Sequence, residues 1–432
     1  MSRLLSRRQL LLGSLAAMSL AACRRQSFDR DALRFWTIDL APKFNDYFAD
    51  LMAAWSLQDS RRPVVWNDLL WGVVERKLLA AVFARTAPDL VNLNPPFAAN
   101  LASKGGLADL EPLLPAGAAD LYVPAVWEAC RDEAAGRIAI PWYLTVRLSL
   151  ANHQILDQAG LAAPPKTWSE LPGFLRRVRQ TTGSYGLFMT VVPDDSAEML
   201  ETFVQMGVRL LDDERRAAFD SPAGRDAFAF WTDLYRDGLL PREVVSQGQR
   251  RAIELFQSGQ LAVAATGAKS LGNLQNNAPG IAAVTRAHPP LVGADGTANV
   301  ALMTLAVPRQ SPHPDEALAF ALFLTNAENQ ARFAREARVL PSSLSALAQI
   351  RAALERETPT TAAAEQVREA WLLSADTLKN ARVLVPASPG IKRLQTILYT
   401  QLQRSMLGQV ASDRALADAA RDWNLYAASR WP

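Results

Sequence analysis

The length of chain that follows an N-terminal export segment constrains the fold most. Three arginines among the first eight residues precede an apolar run of 13 residues from Leu10 to Ala22. A transmembrane helix needs roughly 20 apolar residues, so this shorter run, with its basic, apolar and small-residue zones, predicts an export signal at residues 1–22. The remaining 410 residues exceed the ~250–300 at which one hydrophobic core stops growing. We therefore expect two lobes.

Composition and charge exclude a nucleic-acid partner. The chain is 49% hydrophobic and 21% charged, which is typical of a soluble globular protein. Its formal net charge is only +3, and no stripe of arginine or lysine is interleaved with aromatic residues. The sequence thus lacks the electrostatic footprint of a protein that binds a phosphate backbone.

Histidine is too scarce for a zinc site built on histidine. His153, His288 and His313 stand far apart, and no His-Glu-x-x-His motif is present. The sequence also lacks a Gly-x-Ser-x-Gly elbow and the glycine-rich nucleotide fingerprints. We therefore predict no metal and no cofactor. Catalysis by carboxylates alone stays open, because the sequence does not reveal which Asp and Glu side chains face each other, but an enzyme is not favoured.

Strand and helix patterns alternate in the first part of the chain. Residues 33–38, 64–66 and 88–93 are short, β-prone runs, and apolar residues at helical spacing separate them. This alternation predicts a parallel sheet covered by helices. Further along, Ser221-Pro222 predicts a helix start with proline in the first turn, and Gly238 predicts the end of that helix.

The end of the export segment, Leu20-Ala21-Ala22-Cys23, resembles the lipobox of bacterial lipoproteins. The resemblance implies that the Cys23 thiol is lipidated and that residues 23–32 are a membrane-proximal spacer. Arg7-Arg8 resembles a twin-arginine signal, but general secretion accepts the same charges, so the export route stays open. Which membrane holds the anchor also stays open. Cys130 would then be the remaining cysteine, which predicts a buried structural thiol without a disulfide.

Several blocks of the chain, in this order, resemble the family 1 extracellular solute-binding proteins, the sugar-binding subunits of ABC importers. One departure from the family pattern is Lys269-Ser270, which stands where the family usually has tryptophan. The blocks that carry the resemblance are Lys77-Leu78-Leu79 with Pro88-Asp89-Leu90-Val91, Ile140-Pro141-Trp142-Tyr143 with Ala159-Gly160-Leu161, Phe219-Asp220-Ser221-Pro222, Phe256 to Val263, and Leu340-Pro341-Ser342.

The resemblance implies an α/β fold like that of periplasmic binding proteins of type II. Such a fold has two α/β lobes, a ligand cleft between them and crossing hinge strands. We expect lobe 1 at residues 33–145, with part of 285–345 returning to it. We expect lobe 2 at residues 146–284, with the C-terminal helices of 346–432 packing mainly on it.

The implied function is extracytoplasmic capture of a sugar or oligosaccharide for delivery to ABC permease subunits. The resemblance implies a monomer tethered by lipid to a membrane, in the periplasm or at the extracellular face. A charged glycerol derivative or sugar phosphate is the alternative ligand. A membrane-anchored carbohydrate-active enzyme is a second alternative, and a purely structural periplasmic lipoprotein is a third.

A sugar presents hydroxyl edges and apolar C–H faces, so its receptor needs aromatic planes and fixed polar groups. Trp36 and Trp66 are also compatible with core packing, Asp68 with helix capping, and Arg147 with a hinge ion pair. The first set of candidates lies near strand ends or in the Trp142-Tyr143 turn, which resembles the family's cleft-facing aromatic turn. These candidates are Trp36, Trp66, Asn67, Asp68, Asn94, Trp142, Tyr143 and Arg147. Candidates in loops that match ligand-facing segments of the family are Asp194, Asp195, Gly267, Lys269, Asn299 and Arg338.

Charge leaves the ligand class open. If Lys269, Arg147 and Arg338 converge, they favour a charged ligand. Asp68 and the pair Asp194-Asp195 favour a neutral polyol, because carboxylates accept hydrogen bonds from hydroxyl groups. Because the chain contains 11 tryptophans, we expect a neutral oligosaccharide rather than a charged ligand.

Overall fold

The computed structural model describes residues 31–58, 61–193 and 195–431, and its strands form two main sheets. The predicted export signal and Cys23 lie outside these residues. The strands are β1 (Leu33–Ile38), β2 (Val64–Leu69), β3 (Leu90–Leu93), β4 (Arg131–Asp132), β5 (Gly136–Arg137), β6 (Ile140–Val146), β7 (Leu148–Asn152), β8 (Tyr185–Leu187), β9 (Leu261–Thr266), β10 (Thr285–His288), β11 (Ala298–Ala306), β12 (Leu340–Pro341) and β13 (Ala381–Arg382).

The helices cover these sheets. Those that precede β9 are α1 (Asn45–Ser56), α2 (Trp71–Phe83), α3 (Pro95–Ala102), α4 (Pro124–Glu128), α5 (His153–Gln158), α6 (Leu171–Thr182), α7 (Glu198–Gln205), α8 (Pro222–Arg236) and α9 (Gln249–Gln257). Those that follow are α10 (Lys269–Asn277), α11 (Pro279–Ala283), α12 (Pro314–Leu324), α13 (Ala327–Ala337), α14 (Leu344–Arg356), α15 (Ala362–Leu378), α16 (Ile391–Met406) and α17 (Ser412–Arg430). Within the described ranges, no helix is both long and apolar enough to span a membrane.

The first sheet has the strand order β12-β6-β11-β3-β1-β2, with β13 beside β11. Strand β1 pairs in parallel with β2 and β3, as the alternation of strands and helices predicts. Phe35 on β1 packs in one core cluster with Phe48 of α1. Ile38 packs in another with Val74 and Leu78 of α2. Helices therefore bury both faces of this sheet, and we call the sheet and its helices the first lobe.

The second sheet has the strand order β10-β7-β9-β8. A separate hydrophobic core buries it against helices from the middle and the end of the chain. Trp231 of α8, Leu398 of α16 and Trp423 of α17 are fully buried in this core. We call this sheet and its helices the second lobe.

The chain crosses between the two sheets at closely spaced positions. Strand β6 belongs to the first sheet and β7 to the second, and Arg147 is the residue that separates them. The chain returns from β10 in the second sheet to β11 in the first. Because β11 pairs with β6, both crossings leave the first sheet at adjacent strands. This arrangement forms a hinge.

The C-terminal helices divide between the lobes. Helices α16 and α17 lie in the second core. Helix α14 instead places Ala346 and Ile350 in the core of the first lobe. Helix α15 contributes Ala370 to the second core and Trp371 to the first. The amphipathic pattern of these helices shows that one face is buried but not which lobe covers it.

Helix α8 begins and ends where the sequence predicts. The Ser221 side chain accepts a hydrogen bond from the Gly224 backbone N–H at 3.1 Å, and Pro222 is the first helical residue. Gly238 adopts a left-handed φ of +71° just after the helix. Gly224 also lies so close to the Phe219 carbonyl oxygen that a Cβ atom would collide with it. The helix can therefore approach the preceding chain only with glycine here.

We predict that Gly224→Ala destabilises the protein by about 1–3 kcal/mol, because overpacking outweighs the better helix propensity of alanine. Gly173 of α6 is the matched control, since a Cβ atom there meets nothing within 4 Å. Gly173→Ala should stabilise by about 0.5–1 kcal/mol. Urea unfolding of both variants checks this. Equal effects of the two substitutions would contradict it.

Candidate functional site

The strands that leave the first sheet present a partly exposed face toward the second lobe. Tyr143 and Thr145 on β6, and Arg147 directly after it, are partly exposed, whereas Leu144 and Val146 between them are buried. On β11 the same alternation holds for Asn299, Ala301 and Met303. Ala301 pairs with Thr145 and Met303 pairs with Tyr143, so the two rows lie side by side. Together they form the floor of a cleft between the lobes.

A pocket of about 200 Å³ opens at this floor where the two lobes meet. Gly267 from the second lobe approaches Thr145 so closely that a Cβ atom would lie 3.0 Å from the Thr145 methyl group. Glycine at this position thus permits close contact between the lobes. We call this space the floor pocket, and its lining residues are Thr145, Arg147, Glu198, Gln249, Ala265, Thr266, Gly267, Asn299 and Ala301.

An ion cluster borders the floor pocket. Arg147 Nε lies 2.6 Å from Glu198 Oε1, and the same guanidinium pairs with Glu201. Both carboxylates belong to α7 of the second lobe. Arg147 therefore forms the hinge ion pair that the sequence left open, and it also lines the pocket.

Glu198 is the most deeply buried member of this cluster. Its side chain is only 4% exposed. Burial raises the pKa of Glu198 to about 7; the Arg147 charge opposes this increase, whereas the charges of Glu201 and Asp195 add to it. The Arg147 contact holds its Oε1 atom, whereas Oε2 has no hydrogen-bond partner among the described residues.

Trp71 is a half-exposed tryptophan of the first lobe, one helical turn from an ion pair that bridges the lobes. It is the first residue of α2, directly after the carboxyl end of β2, and its backbone N–H donates to Asp39, which follows β1. Its side chain is 48% exposed. One turn later on α2, Glu75 forms an ion pair with Lys392 of the second lobe. Trp71 was not predicted as a ligand-binding residue, although its position directly after a parallel strand could have indicated one.

Two of the candidate cations lie beside α10. Lys269 begins α10, and partial burial together with the charge of Lys43 lowers its pKa. Arg338, exposed at the end of α13, contacts Gly272 of α10 across the two lobes. The third candidate cation, Arg147, is paired with two carboxylates of α7.

The prediction that Trp142 lines the cleft is wrong. Its side chain is fully buried in the core of the first lobe, where it stacks on Phe333 with ring centroids 5.0 Å apart. Tyr143, the next residue, is partly exposed, and its ring also packs on Phe333 with centroids 5.3 Å apart, because a β-bulge interrupts the alternation of β6 at this point. Burial and the charge of Asp68 raise the pKa of Tyr143.

Trp36 and Trp66 are partly buried against the first lobe. Trp36 packs against the cluster that contains Ile38 and α2. Trp66 stacks on Phe48 at 4.4 Å, and its indole N–H donates to the Thr37 hydroxyl at 2.7 Å. Core packing, the alternative considered for both, accounts for most of their contacts.

The remaining polar candidates mostly bind the protein itself. The Asp68 carboxylate accepts hydrogen bonds from the Thr37 hydroxyl at 2.6 Å and from the backbone N–H groups of Leu40 and Ala41 at 3.0 Å. Asp68 therefore secures the loop after β1 rather than capping a helix. Asn67 is exposed on β2, and Asp194 lies outside the described residues.

Asn94, Asp195 and Asn299 also have partners within the protein. Asn94 caps α3 through a hydrogen bond from the Phe97 N–H at 2.9 Å. Asp195 accepts from the Gln249 N–H at 2.8 Å, at the start of α9. Asn299 accepts from the Leu384 N–H at 3.0 Å through Oδ1, and it still lines the floor pocket.

The described residues contain no group of three or more His, Cys, Asp and Glu side chains that could hold a metal ion. Cys130 is buried, and burial raises its pKa to about 12. Its thiol donates to the Val126 carbonyl oxygen at 3.4 Å. These contacts agree with a structural role for Cys130.

The raised pKa of Glu198 predicts an unusual dependence of stability on pH. The ionised carboxylate is disfavoured in the folded state, so its contribution to stability is greatest below the unfolded pKa of about 4.5 and falls as pH rises to about 7. The decrease is on the order of 3 kcal/mol. Glu198→Gln should remove this part of the pH profile, which urea unfolding between pH 4 and pH 8 measures. Superimposable profiles of the two proteins would contradict the prediction.

Comparison with known proteins identifies the same architecture elsewhere. A candidate oligosaccharide periplasmic-binding protein from Synechococcus sp. MITs9220 is 67% identical, with a TM-score of 0.88 over 93% of this chain and 100% of that chain. The cyclic alpha-maltosyl-1,6-maltose binding protein from Arthrobacter globiformis is 20% identical, with a TM-score of 0.75 over 92% of this chain and 98% of that chain. These similarities confirm the expected two-lobed type II fold.

Sequence comparison agrees. A diacetylchitobiose binding protein from Streptomyces coelicolor is 24% identical over 187 residues, which cover 40% of this chain and 42% of that protein. The family profile described as bacterial extracellular solute-binding protein matches residues 42–331. With two lobes, crossing strands and a polar pocket between them, the chain belongs to the bacterial extracellular solute-binding protein family.

Proposed function

We propose that the protein captures a sugar or oligosaccharide between its lobes and delivers it to the permease subunits of an ABC importer. The observation that carries this proposal is the floor pocket, because both lobes contribute its lining at the point where the chain crosses between them. A ligand held there contacts both lobes at once. It therefore stabilises the closed arrangement over the open one, and this difference is the signal that an importer can read.

The chemistry of the cleft fits a carbohydrate. Trp71 offers a half-exposed indole, on which the apolar face of a sugar ring can stack. Thr145, Thr266 and Asn299 line the floor pocket with hydroxyl and amide groups that match sugar hydroxyls. The names of the related proteins support the same class, since they describe oligosaccharide, maltosyl-maltose and diacetylchitobiose binding.

We propose binding without turnover. Glycoside hydrolysis needs two carboxyl groups that flank the scissile bond, one of them poised as acid. Glu198 and Glu201 instead belong to one helix and share the guanidinium of Arg147. We further propose that lipid on Cys23 tethers a monomer to a membrane, in the periplasm or at the extracellular face. The short apolar run that ends just before Cys23 supports this tether.

A thermal-shift screen of the mature domain tests the proposed function. Its probes are maltose, maltotriose, cellobiose, diacetylchitobiose, glycerophosphodiesters and sugar phosphates. A ligand at 100 times its Kd adds about 2.7 kcal/mol to the apparent stability, which is readily detected. The proposal is rejected if every carbohydrate leaves the unfolding temperature unchanged, or if the protein hydrolyses the sugar that it binds.

Trp71→Ala should weaken binding of the best sugar about tenfold, because it removes the exposed stacking surface. Phe83→Ala is the matched control, since Phe83 is 78% exposed at the far end of the same helix. Calorimetric titration gives both affinities, and thermal unfolding checks that both variants are folded. Equal affinities of the two variants would show that Trp71 does not contact the ligand.

A further inference from the structure

Two of the three histidines of the chain meet in the second lobe. His153 is the first residue of α5 and His288 is the last residue of β10, so they lie 135 positions apart in sequence. Their Nε2 atoms are 2.9 Å apart. The ring planes are inclined by only 16°, and the ring centroids are 5.2 Å apart. Because the centroids are farther apart than the Nε2 atoms, the rings meet edge to edge through these two nitrogens.

The backbone on each side holds the two rings in place. Strand β10 pairs with β7, and this pairing sets His288 opposite Ser149. The backbone N–H of His153 donates to the Val284 carbonyl at 2.9 Å, and the Asn152 side chain caps α5 directly before it. Both histidines therefore belong to segments that are already ordered. An ion bound between them would not have to order either segment, which lowers the entropic cost of binding.

The contact between the two Nε2 atoms accommodates one proton. A neutral imidazole has one N–H and one lone pair, so the contact is an N–H···N hydrogen bond in which either ring can be the donor. If this proton moves to Nδ1 of the donating ring, both Nε2 atoms present lone pairs to the space between them. Imidazole nitrogen is a favoured ligand of zinc, copper and nickel ions. The pair can therefore exchange its hydrogen bond for two bonds to one metal ion, without net release of a proton.

The separation of the two nitrogens is close to that of two metal ligands. Zinc binds histidine nitrogen at about 2.0–2.1 Å, which places two ligands of a tetrahedral ion roughly 3.3 Å apart. The rings need only move slightly apart and tilt toward the ion. Both histidines are partly exposed, so an ion can reach them from solvent. No third His, Cys, Asp or Glu among the described residues completes the group, so water would fill the remaining positions.

We propose that His153 and His288 form a binding site for one divalent transition-metal ion, with water as its other ligands. The ion bridges the start of α5 and the end of β10 and thereby stabilises the second lobe. Partial burial and the nearby charge of His153 lower the pKa of His288, which favours the neutral ring that a metal ion requires. Neither histidine lines the floor pocket, so the inference does not depend on the proposed function.

Calorimetric titration of the mature protein, prepared without a polyhistidine tag, with Zn²⁺ at about pH 7.5 tests the proposal, because imidazole is mostly neutral there. We expect one ion per chain, and no binding of Mg²⁺, which prefers oxygen ligands. His153→Ala and His288→Ala should each raise the Kd for zinc about tenfold or more, since one ligand is lost. His313→Ala is the matched control, because the His313 side chain makes no capping hydrogen bond at the start of α12. It should bind zinc as the wild type does. Circular dichroism verifies that all three variants fold.

Nuclear magnetic resonance of the wild-type protein locates the ion without a variant. The chain has three histidines and therefore three sets of imidazole signals. Paramagnetic Ni²⁺ should broaden two of these sets and leave the set that is absent from the His313→Ala spectrum sharp. The inference is overturned if zinc does not bind the wild-type protein, if a folded His153→Ala or His288→Ala variant keeps the wild-type Kd, or if nickel broadens the His313 signals as strongly as the others. Each of these results would leave the proposed function standing.

Discussion

Arg147 joins β6 of the first sheet to β7 of the second, and its guanidinium binds two carboxylates of α7. The cleft depends on this contact, because it determines how α7 lies against the crossing strands. Removing one partner from a buried ion pair costs about 3–5 kcal/mol, since the other charge is left uncompensated. The ion cluster therefore couples the orientation of the hinge to the charge of the floor pocket.

The surfaces between the lobes differ in chemical character. Trp71 presents an aromatic surface one helical turn from the interlobe ion pair of Glu75 and Lys392. Thr145, Thr266 and Asn299 bring hydroxyl and amide groups to the floor pocket. A sugar chain combines apolar faces with hydroxyl groups that both donate and accept, so it can match both surfaces.

The parallel strands of the first lobe and both ends of α8 could be predicted, because local signals determine them. Alternating apolar runs indicate buried strands, while Ser221 and Gly238 satisfy backbone groups within a few residues. The candidate site was harder to predict. The sequence indicated both roles of Arg147, as a ligand contact and as a hinge ion pair. Glu198, Gln249 and Trp71 were not predicted. Their importance comes from neighbours distant in sequence, such as Arg147 beside Glu198 and Asp39 beside Trp71.

The sequence alone determined the fold class and its family, because chain length, strand–helix alternation and the order of motifs are properties of the chain itself. Only the tertiary structure decided which side chains face the cleft. Trp142 and Tyr143 are neighbours in sequence and both contact Phe333, yet Trp142 is fully buried and Tyr143 stays partly exposed. A β-bulge in β6 interrupts the alternation of side chains here, so the sequence pattern could not indicate which ring the neighbouring helices cover. Likewise, Glu198 gained its role only when folding buried it beside the hinge, where its carboxylate meets the Arg147 guanidinium.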